Sequence, residues 1–223
     1  MRLAILFSGR GSNMLALAEA CAARPKAELA LTICNRPHAP GIAAARARGL
    51  PVQVLDHTDY ASREDFEAAL QRALVAAKTE LVCAAGFMRL FSPAFVARWH
   101  NRLLNIHPSL LPHFPGLNTH QRALKAGMRE SGCSVHFIRA RMDAGPILVQ
   151  AKVPIKPQDT PEQLAQRVLA EEHRAYVLAL DLLLDNKLDM CGEQPFLSAP
   201  VDAPPHFVLP PLRRESPPRE RKA

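Results

Sequence analysis

The sequence predicts an α/β fold with a doubly wound, parallel sheet and helices packed against it. Two observations predict this class. Short apolar runs alternate with helix-like stretches through the first half, and a glycine-rich turn follows the first apolar run directly. The 223 residues are enough for one large domain with a substantial core.

Five strands are predicted in the first half, each from an apolar run of the length that a buried strand needs. The first run leads into Ser8-Gly9, and the last one stops at Pro108, which cannot continue a central ladder. The predicted strands cover residues 3–7, 28–34, 52–55, 81–85 and 103–107.

The helices between these strands are predicted from their boundaries. Ser62 is placed to cap a helix, with Asp65 three residues later, and Ser92-Pro93 combines a cap with proline at the first helical position. Glycine or proline bounds the others. The predicted helices cover residues 14–23, 42–48 and 62–78, and a further helix begins at 92–93.

The second half has a different pattern. Two strand-like runs, at residues 134–140 and 147–155, follow each other with only a short segment between them, which predicts a hairpin or a bend. The motif Thr160-Pro161-x-Gln163 then begins a long helix that extends to about Asn186.

The C-terminal segment is rich in proline. Eight of the twenty prolines lie between Gly192 and Ala223, a composition typical of loosely ordered chain. The predicted organisation is therefore one domain over residues 1–190 and a proline-rich, basic-ended tail over residues 191–223 that is poorly ordered.

The composition argues against a membrane protein and against a disulfide-rich secreted domain. No apolar run approaches the roughly 20 residues of a membrane span, and the run at residues 3–7 is too short for a signal peptide. We therefore expect a cytoplasmic protein. The five cysteines are scattered and form no C-x-x-C pair, so neither a disulfide framework nor a zinc site is expected.

The net charge of +7 raises the question of nucleic acid binding. Residues 213–223 hold five basic and two acidic residues, so +3 of that charge lies at the C-terminus. The rest is spread among acidic residues with few aromatics, and it does not form the clustered patch that nucleic acid binding needs. We predict no nucleic acid partner and a surface suited to small anionic molecules.

The first motif is Ser8-Gly9-Arg10-Gly11-Ser12-Asn13, between the first strand and the first helix. Glycines allow a tight turn, and a helix N-terminus presents free N–H groups to an anion. The motif is neither G-x-G-x-x-G nor a P-loop. The motif can be interpreted as a phosphate-binding site or as a simple capped turn that binds no ligand. We favour the phosphate, and a single phosphate over a dinucleotide.

The second motif is Asn105-x-His107-Pro108. Residues two apart on a strand point to the same face, and Pro108 ends the strand at its carboxyl edge, where open α/β sheets bind ligands. An asparagine amide can stabilise an oxyanion, and a histidine can transfer protons near neutral pH. Periodicity alone leaves catalysis and a strand-ending hydrogen bond equally supported.

Two acidic positions have ordinary structural interpretations when the sequence around them is taken alone. Asp143 precedes Ala144-Gly145, where an aspartate is usually a turn former, although a carboxylate beside His107 would orient the ring. Residues 171–173 read Glu-Glu-His, a run that usually forms a solvated helix face. No histidine pair has metal-ligand spacing, and we predict no metal.

Together these motifs resemble those of the phosphoribosylglycinamide formyltransferases, the folate-dependent enzymes of purine synthesis. The likeness covers residues 2–190 and is carried by the segments Ser8–Asn13, Ala85–Arg89, Asn105–Pro112 and Ser134–Phe137. The fold that it implies is Rossmann-like, with a mainly parallel twisted sheet, helices on both faces and one antiparallel stretch. The implied reaction moves a formyl group from the co-substrate 10-formyltetrahydrofolate to the amine of glycinamide ribonucleotide.

The resemblance also implies roles for particular residues. The catalytic positions are Asn105, His107 and Asp143. The ribonucleotide positions are Gly11, Ser12, Asn13 and Glu172, and the folate positions are Arg63, Met88, Arg89, Leu90 and Phe91 together with Asn105. The expected partners are these two small molecules, with no membrane partner, in a monomer or a homodimer.

Three positions depart from the family pattern. Asn118 lies where many relatives carry histidine, and Ala144 replaces a common glycine, which matters if that position needs positive φ. Phe91 is bulkier than the usual aliphatic residue and is expected to reshape the folate pocket. The alternative functions are a formyl-folate hydrolase, a formyltransferase acting on charged tRNA, and a non-catalytic nucleotide-binding module.

Overall fold

The strands form a mixed eight-stranded sheet and a separate two-stranded sheet in a computed structural model that describes residues 1–213. The strands are β1 (Arg2–Phe7), β2 (Glu28–Cys34), β3 (Val52–Val54), β4 (Leu81–Ala84), β5 (Leu103–His107), β6 (Glu130–Phe137), β7 (Ile147–Pro154), β8 (Leu188–Cys191), β9 (Gln194–Leu197) and β10 (Phe207–Val208). The helices are α1 (Ser12–Ala22), α2 (Pro40–Ala47), α3 (Arg63–Ala76), α4 (Pro93–Arg98), α5 (Thr119–Lys125) and α6 (Pro161–Leu184). A short 3₁₀ helix covers His57–Asp59.

The large sheet has the order β10-β7-β6-β5-β4-β1-β2-β3. Strands β1 to β5 are parallel, whereas β6, β7 and β10 each pair antiparallel with their neighbour. The chain proceeds outward from β1 to β3 and returns to β4 on the other side of β1. This reversal creates a switch point between β1 and β4, where ligands bind in open α/β sheets. The predicted fold class, with its antiparallel stretch, is confirmed.

Helices cover both faces of the sheet because the side chains of each strand alternate between two cores. In β1, the buried side chains of Leu3, Ile5 and Phe7 join the core under α1, α2 and α6. Those of Ala4 and Leu6 join the core under α3 and α4. Burial on both faces explains why the strands read as continuous apolar runs.

The predicted helix caps are present. Ser62 Oγ accepts the Asp65 N–H at 3.0 Å, and Ser92 Oγ accepts the Phe95 N–H at 3.2 Å. Helix α6 begins with a capping box in which the side chains and backbones of Thr160 and Gln163 bond reciprocally. These caps define where α3, α4 and α6 begin.

Two elements differ from the sequence expectation. Strand β6 begins at Glu130, four residues before the predicted start, because the polar segment before Ser134 still pairs with β7. Helix α5 was not predicted, since its seven residues are too few to show a clear helical period. Helix α5 lies in the connection from β5 to β6 and packs against α6.

The tail is more ordered than its composition predicts. The expectation of a loosely ordered segment is wrong for residues 191–213, which complete the β8–β9 hairpin and supply β10 at the edge of the large sheet. The proline count misleads because most of these prolines lie between the pairing segments, and Phe207 packs against the core. Residues 214–223, with most of the basic end, lie outside the described residues. The domain boundary at residue 190 stays a prediction.

Four cysteines are buried and unpaired, namely Cys21, Cys34, Cys83 and Cys133, and Cys191 is exposed. Burial raises the pKa of the Cys21 thiol to about 11, as expected for a cysteine that acts as a small apolar residue. None of the helices in residues 1–213 combines the length and the apolar character that a membrane crossing requires.

Candidate active site

The Asn105–His107 pair lies at the carboxyl end of β5, as predicted. The His107 side chain is buried at 6% exposure, and Asn105 is half-buried. The chain turns immediately after Pro108, and Ser134 on β6 holds that turn in place. Its hydroxyl donates to the Ser109 carbonyl at 2.7 Å and accepts the Leu111 N–H at 3.0 Å. The end of β5 is thus fixed by its antiparallel neighbour.

Asp143 reaches His107, which spacing alone could not show. Its Oδ2 atom lies 3.4 Å from His107 Nδ1 and accepts the Gly116 N–H at 2.8 Å. The positive φ of this bend falls on Asp143, at 51°, and not on Ala144. Aspartate tolerates that conformation, so the alanine that replaces a glycine does not disturb the bend. Gly145 is required, since a Cβ there would lie 1.8 Å from the Phe137 carbonyl oxygen.

Both nitrogens of the His107 ring face oxygen atoms. Nδ1 faces the Asp143 carboxylate, and Nε2 lies 3.0 Å from the Phe114 carbonyl oxygen. A carbonyl oxygen can only accept, so Nε2 carries a hydrogen. An imidazolium ring satisfies both contacts at once, because it donates from both nitrogens. Any proton that the ring gives to a ligand must come from a nitrogen that first leaves one of these contacts.

His136 completes this cluster, although the sequence did not single it out as a site residue. It lies on β6 directly opposite Asn105, and its Nε2 atom is 3.3 Å from Asn105 Nδ2 and 3.8 Å from Asp143 Oδ1. Burial lowers the pKa of His136, and this effect exceeds that of the nearby Asp143 carboxylate. The sequence alone did not reveal this contact, because it does not specify the antiparallel register that pairs the two residues.

Helix α5 brings a second unpredicted histidine near His107. Asn118 occupies the position before α5 with φ 56°, a left-handed conformation that asparagine tolerates well. Two residues later, His120 has a buried Nδ1 atom without a hydrogen-bond partner among residues 1–213. Burial lowers the pKa of His120, and the charge of His107 lowers it further. Both effects favour the neutral form of His120.

The glycine-rich turn lies two strands away from the histidine cluster, beyond β4, a separation of roughly 10 Å. Gly11 has φ 77° and precedes α1. No side chain caps this helix, so none accepts a hydrogen bond from the first N–H groups of α1. Gly41, at the start of α2, packs on this turn, and a Cβ there would lie 2.7 Å from the Gly9 carbonyl oxygen. The turn thus presents the N–H groups of α1 to the carboxyl edge of the sheet, where an anion can bind.

Asn13 and Glu172 connect α1 to α6. The Asn13 amide donates to Glu172 Oε2 at 2.6 Å, and both side chains are buried. Burial raises the pKa of Glu172, and the bond from Asn13 offsets part of that effect. The interpretation of residues 171–173 as a solvated face is wrong for Glu172. It belongs to the buried stripe of α6, four residues from both Val168 and Tyr176.

The residues matched to the folate site lie at the start of α3 and in the segment that follows β4. Arg63 is the exposed first residue of α3, and Met88 and Leu90 are 56% and 60% exposed after β4. The Arg89 guanidinium lies 5.2 Å from the centre of the Phe66 ring. The structure leaves two apolar side chains facing outward here, next to the carboxyl end of β5.

Phe91 packs inward and forms part of an aromatic stack. Its ring lies 5.4 Å from that of Phe87 and 4.9 Å from that of Phe95, centre to centre and nearly parallel. Both contacts belong to the core under α3 and α4. The larger ring is accommodated in this core, and its effect on a folate pocket stays a prediction.

Ser8 connects the glycine-rich turn to the segment that follows β4. Its hydroxyl donates to the Asn35 amide oxygen and accepts the Met88 N–H at 2.8 Å. Ser8 is 3% exposed, so no solvent replaces these bonds. One buried hydroxyl therefore holds the segment that carries Met88 against the start of the glycine-rich turn.

Two cavities of about 500 and 530 Å³ lie elsewhere, one between α1 and α6 and the other beside α3, and no predicted site residue lines them. The candidate site is instead the open edge above β1, β4 and β5. Within residues 1–213, no group of three or more histidine, cysteine, aspartate or glutamate side chains is placed to hold a metal ion.

The family model for formyl transferases matches residues 1–180. A phosphoribosylglycinamide formyltransferase from Escherichia coli is 40% identical over 191 residues, which are 85% of this chain and 90% of that enzyme. The trifunctional purine biosynthetic protein adenosine-3 of Drosophila melanogaster is 48% identical over 187 residues, or 82% of this chain. This chain spans only 14% of the length of that relative.

Solved structures agree with these relatives. A glycinamide ribonucleotide transformylase from Symbiobacterium toebii superposes with a TM-score of 0.85 at 42% identity, covering 88% of this chain and 93% of the other. A phosphoribosylglycinamide formyltransferase from Brucella melitensis gives 0.78 at 48% identity, with 86% and 98% coverage. The family match over residues 1–180 includes the whole histidine cluster, and the chain belongs to the formyl transferase family.

Proposed function

We propose that this protein transfers a formyl group from 10-formyltetrahydrofolate to the amine of glycinamide ribonucleotide. The products are formylglycinamide ribonucleotide and tetrahydrofolate, in de novo purine biosynthesis. The observation that carries the proposal is the contact of His107 with Asp143, beside Asn105, at the edge that also presents the glycine-rich turn. The names of the relatives above support the same reaction.

The chemistry begins with attack of the neutral amine on the formyl carbon. A C–N bond forms, and the formyl oxygen becomes an oxyanion. The Asn105 amide and the protonated His107 ring are placed to donate hydrogen bonds to it. Collapse of this intermediate breaks the bond to the folate nitrogen, which takes a proton from His107. The new amide nitrogen gives its surplus proton to the neutral His107 ring, so the ring ends in its starting form.

Asp143 orients the His107 ring for this proton transfer and faces its charged form. Its carboxylate is itself held by the Gly116 N–H, so its position does not depend on a ligand. If Nε2 is the proton donor, it must leave the Phe114 carbonyl and contact a substrate atom instead. The loop with Phe114 and Gly116 therefore takes part in arranging the ring.

The glycine-rich turn is proposed to hold the ribonucleotide phosphate. Gly11, Ser12 and Asn13 supply helix N–H groups and short polar side chains there. Glu172 bonds Asn13 and is placed to position the ribonucleotide from α6. This arrangement leaves the amine end of the substrate to extend across β4 towards Asn105.

The folate donor is proposed to bind beside Arg63 and the segment formed by Met88, Arg89, Leu90 and Phe91. The exposed Met88 and Leu90 side chains offer apolar surface to the ring system of a folate, and Arg63 offers a positive charge to its glutamate end. Asn105 pairs with Ala84 on β4, a few residues before this segment. The donor acts as a co-substrate, and the proposed steps need no metal.

Two substitutions test the assignment. We expect His107→Ala and Asn105→Ala each to lower kcat by about 10²–10³-fold or more, the usual loss when an acid or an oxyanion donor is removed. Thermal unfolding verifies that each variant is folded. A folded His107→Ala variant with near-normal formyl transfer would refute the proposal.

A further inference from the structure

His136 bears on the catalytic amide through a contact across the sheet. The residue lies opposite Asn105 in the β5–β6 pairing, so the two side chains share one face. The His136 side chain is almost fully buried, at 1% exposure for the residue. Its Nε2 atom is 3.3 Å from Asn105 Nδ2. The ring therefore borders the amide from the neighbouring strand.

The hydrogen-bond pattern determines which ring nitrogen carries the hydrogen. His136 Nδ1 lies 3.0 Å from the Phe137 carbonyl oxygen, which can only accept. Nδ1 must then be the donor, and in a neutral ring Nε2 is left with a lone pair. A lone pair repels an amide oxygen and attracts an amide N–H, so the NH₂ group of Asn105 must face His136.

Three charged or titratable groups face the His136 ring, namely Asp143, His107 and Arg139. Burial lowers the pKa of His136 and so favours the neutral ring. A protonated ring would present Nε2–H to the Asn105 NH₂ group and would be drawn towards Asp143, which lies 3.8 Å away. The neutral form is the one that keeps the bond to Asn105.

We propose that His136 is a positioning residue that fixes the Asn105 amide with its NH₂ group as the donor to the formyl oxygen. One N–H of that group bonds His136 Nε2, and the second is left for the oxyanion. Without the ring, the amide can rotate and present its oxygen, which repels an oxyanion. This inference rests on the proposed function, because it assigns the amide to that reaction.

The test compares two substitutions at His136. His136→Leu removes the acceptor, and we expect kcat to fall at least about tenfold while KM for both substrates changes less than about twofold. His136→Gln can place an amide oxygen near the position of Nε2, and it should recover most of the lost kcat. Val135→Ala is the matched control, because Val135 is equally buried on β6 but pairs with Ile106 and not with Asn105.

A double substitution separates positioning from a general structural effect. If His136 acts through Asn105, His136→Leu adds little to the loss already caused by Asn105→Ala. Fully additive losses, or a His136→Leu variant with unchanged kcat, would overturn the inference. Wild-type protein without formyl transfer would refute the proposed function instead, which keeps the two failures distinct.

A measurement on the wild-type protein does not depend on whether the variants fold. Nitrogen-15 NMR of the histidine rings reports which nitrogen carries the hydrogen. We expect the neutral ring of His136 with hydrogen on Nδ1 and a lone pair on Nε2. Hydrogen on Nε2 at neutral pH would contradict the inference, since that ring cannot accept from Asn105.

Discussion

The Nδ1 atom of His107 lies 3.4 Å from Oδ2 of Asp143, and both side chains are at most 10% exposed. The two residues are brought together by the β6–β7 hairpin, whose connecting bend carries Asp143 back over the end of β5. A buried carboxylate beside a histidine holds the ring orientation, because the carboxylate can accept a hydrogen bond from the ring nitrogen. The proposed role of His107 as an acid rests on this contact.

Asp143→Asn tests this contact with little change in shape. Asparagine tolerates the left-handed φ of 51° and can still accept the Gly116 N–H. We expect kcat for formyl transfer to fall by about 10²-fold or more, since the negative charge beside His107 is lost. Glu130→Gln, an exposed substitution on β6, is the control and should leave kcat unchanged. Equal kcat in the two variants would exclude a role for the Asp143 charge.

Glu172→Gln tests the buried carboxyl on α6 through the pH dependence of stability. Burial raises the folded-state pKa of Glu172 above its unfolded value, so its contribution to stability is present at low pH and is lost as pH rises through the folded pKa. Glutamine does not ionise and can still accept from Asn13. We expect the free energy of unfolding of the variant, relative to wild type, to increase as pH rises from about 4.

Urea unfolding of both proteins at several pH values measures that difference. Gln166→Ala replaces an exposed residue of the same helix that does not ionise, and it should show a difference that does not vary with pH. A Glu172→Gln difference that is constant or decreases with rising pH would mean that Glu172 is not a buried carboxyl of raised pKa.

Ser8→Ala tests the link between the glycine-rich turn and the segment that follows β4. The substitution leaves the Met88 N–H and the Asn35 amide oxygen without their buried partner, which costs about 1–3 kcal/mol of stability. We expect KM for the formyl folate to rise more than kcat falls, because Met88 and its neighbours lose their support. Ser198→Ala, which removes an exposed hydroxyl, should change neither value. A KM equal to wild type would remove Ser8 from the folate site.

The sequence predicted the part of the site that depends on local geometry. Asn105 and His107 share a face because strand residues two apart always do, and Pro108 marked the end of the strand. The contact with Asp143 depends on how the β6–β7 hairpin packs. That packing is a property of the whole sheet, so the spacing of residues could not reveal it.

Other features were missed for identifiable reasons. The position of His136 follows from the strand register, which a single sequence does not specify. The burial of Glu172 could have been predicted, since the residue lies four positions from two buried residues of α6 in the helical period. The tail was misjudged because proline content was weighed without regard to the short pairing segments between the prolines.

The most direct test of the proposed function is whether deformylation of the folate depends on the ribonucleotide. Purified protein is mixed with 10-formyl-5,8-dideazafolate, with and without glycinamide ribonucleotide, and the absorbance of the deformylated folate is followed. We predict turnover only when the ribonucleotide is present. Equal turnover without it would indicate a formyl-folate hydrolase, and binding of both ligands without turnover would indicate a nucleotide-binding module. Either result would contradict formyl transfer by this protein.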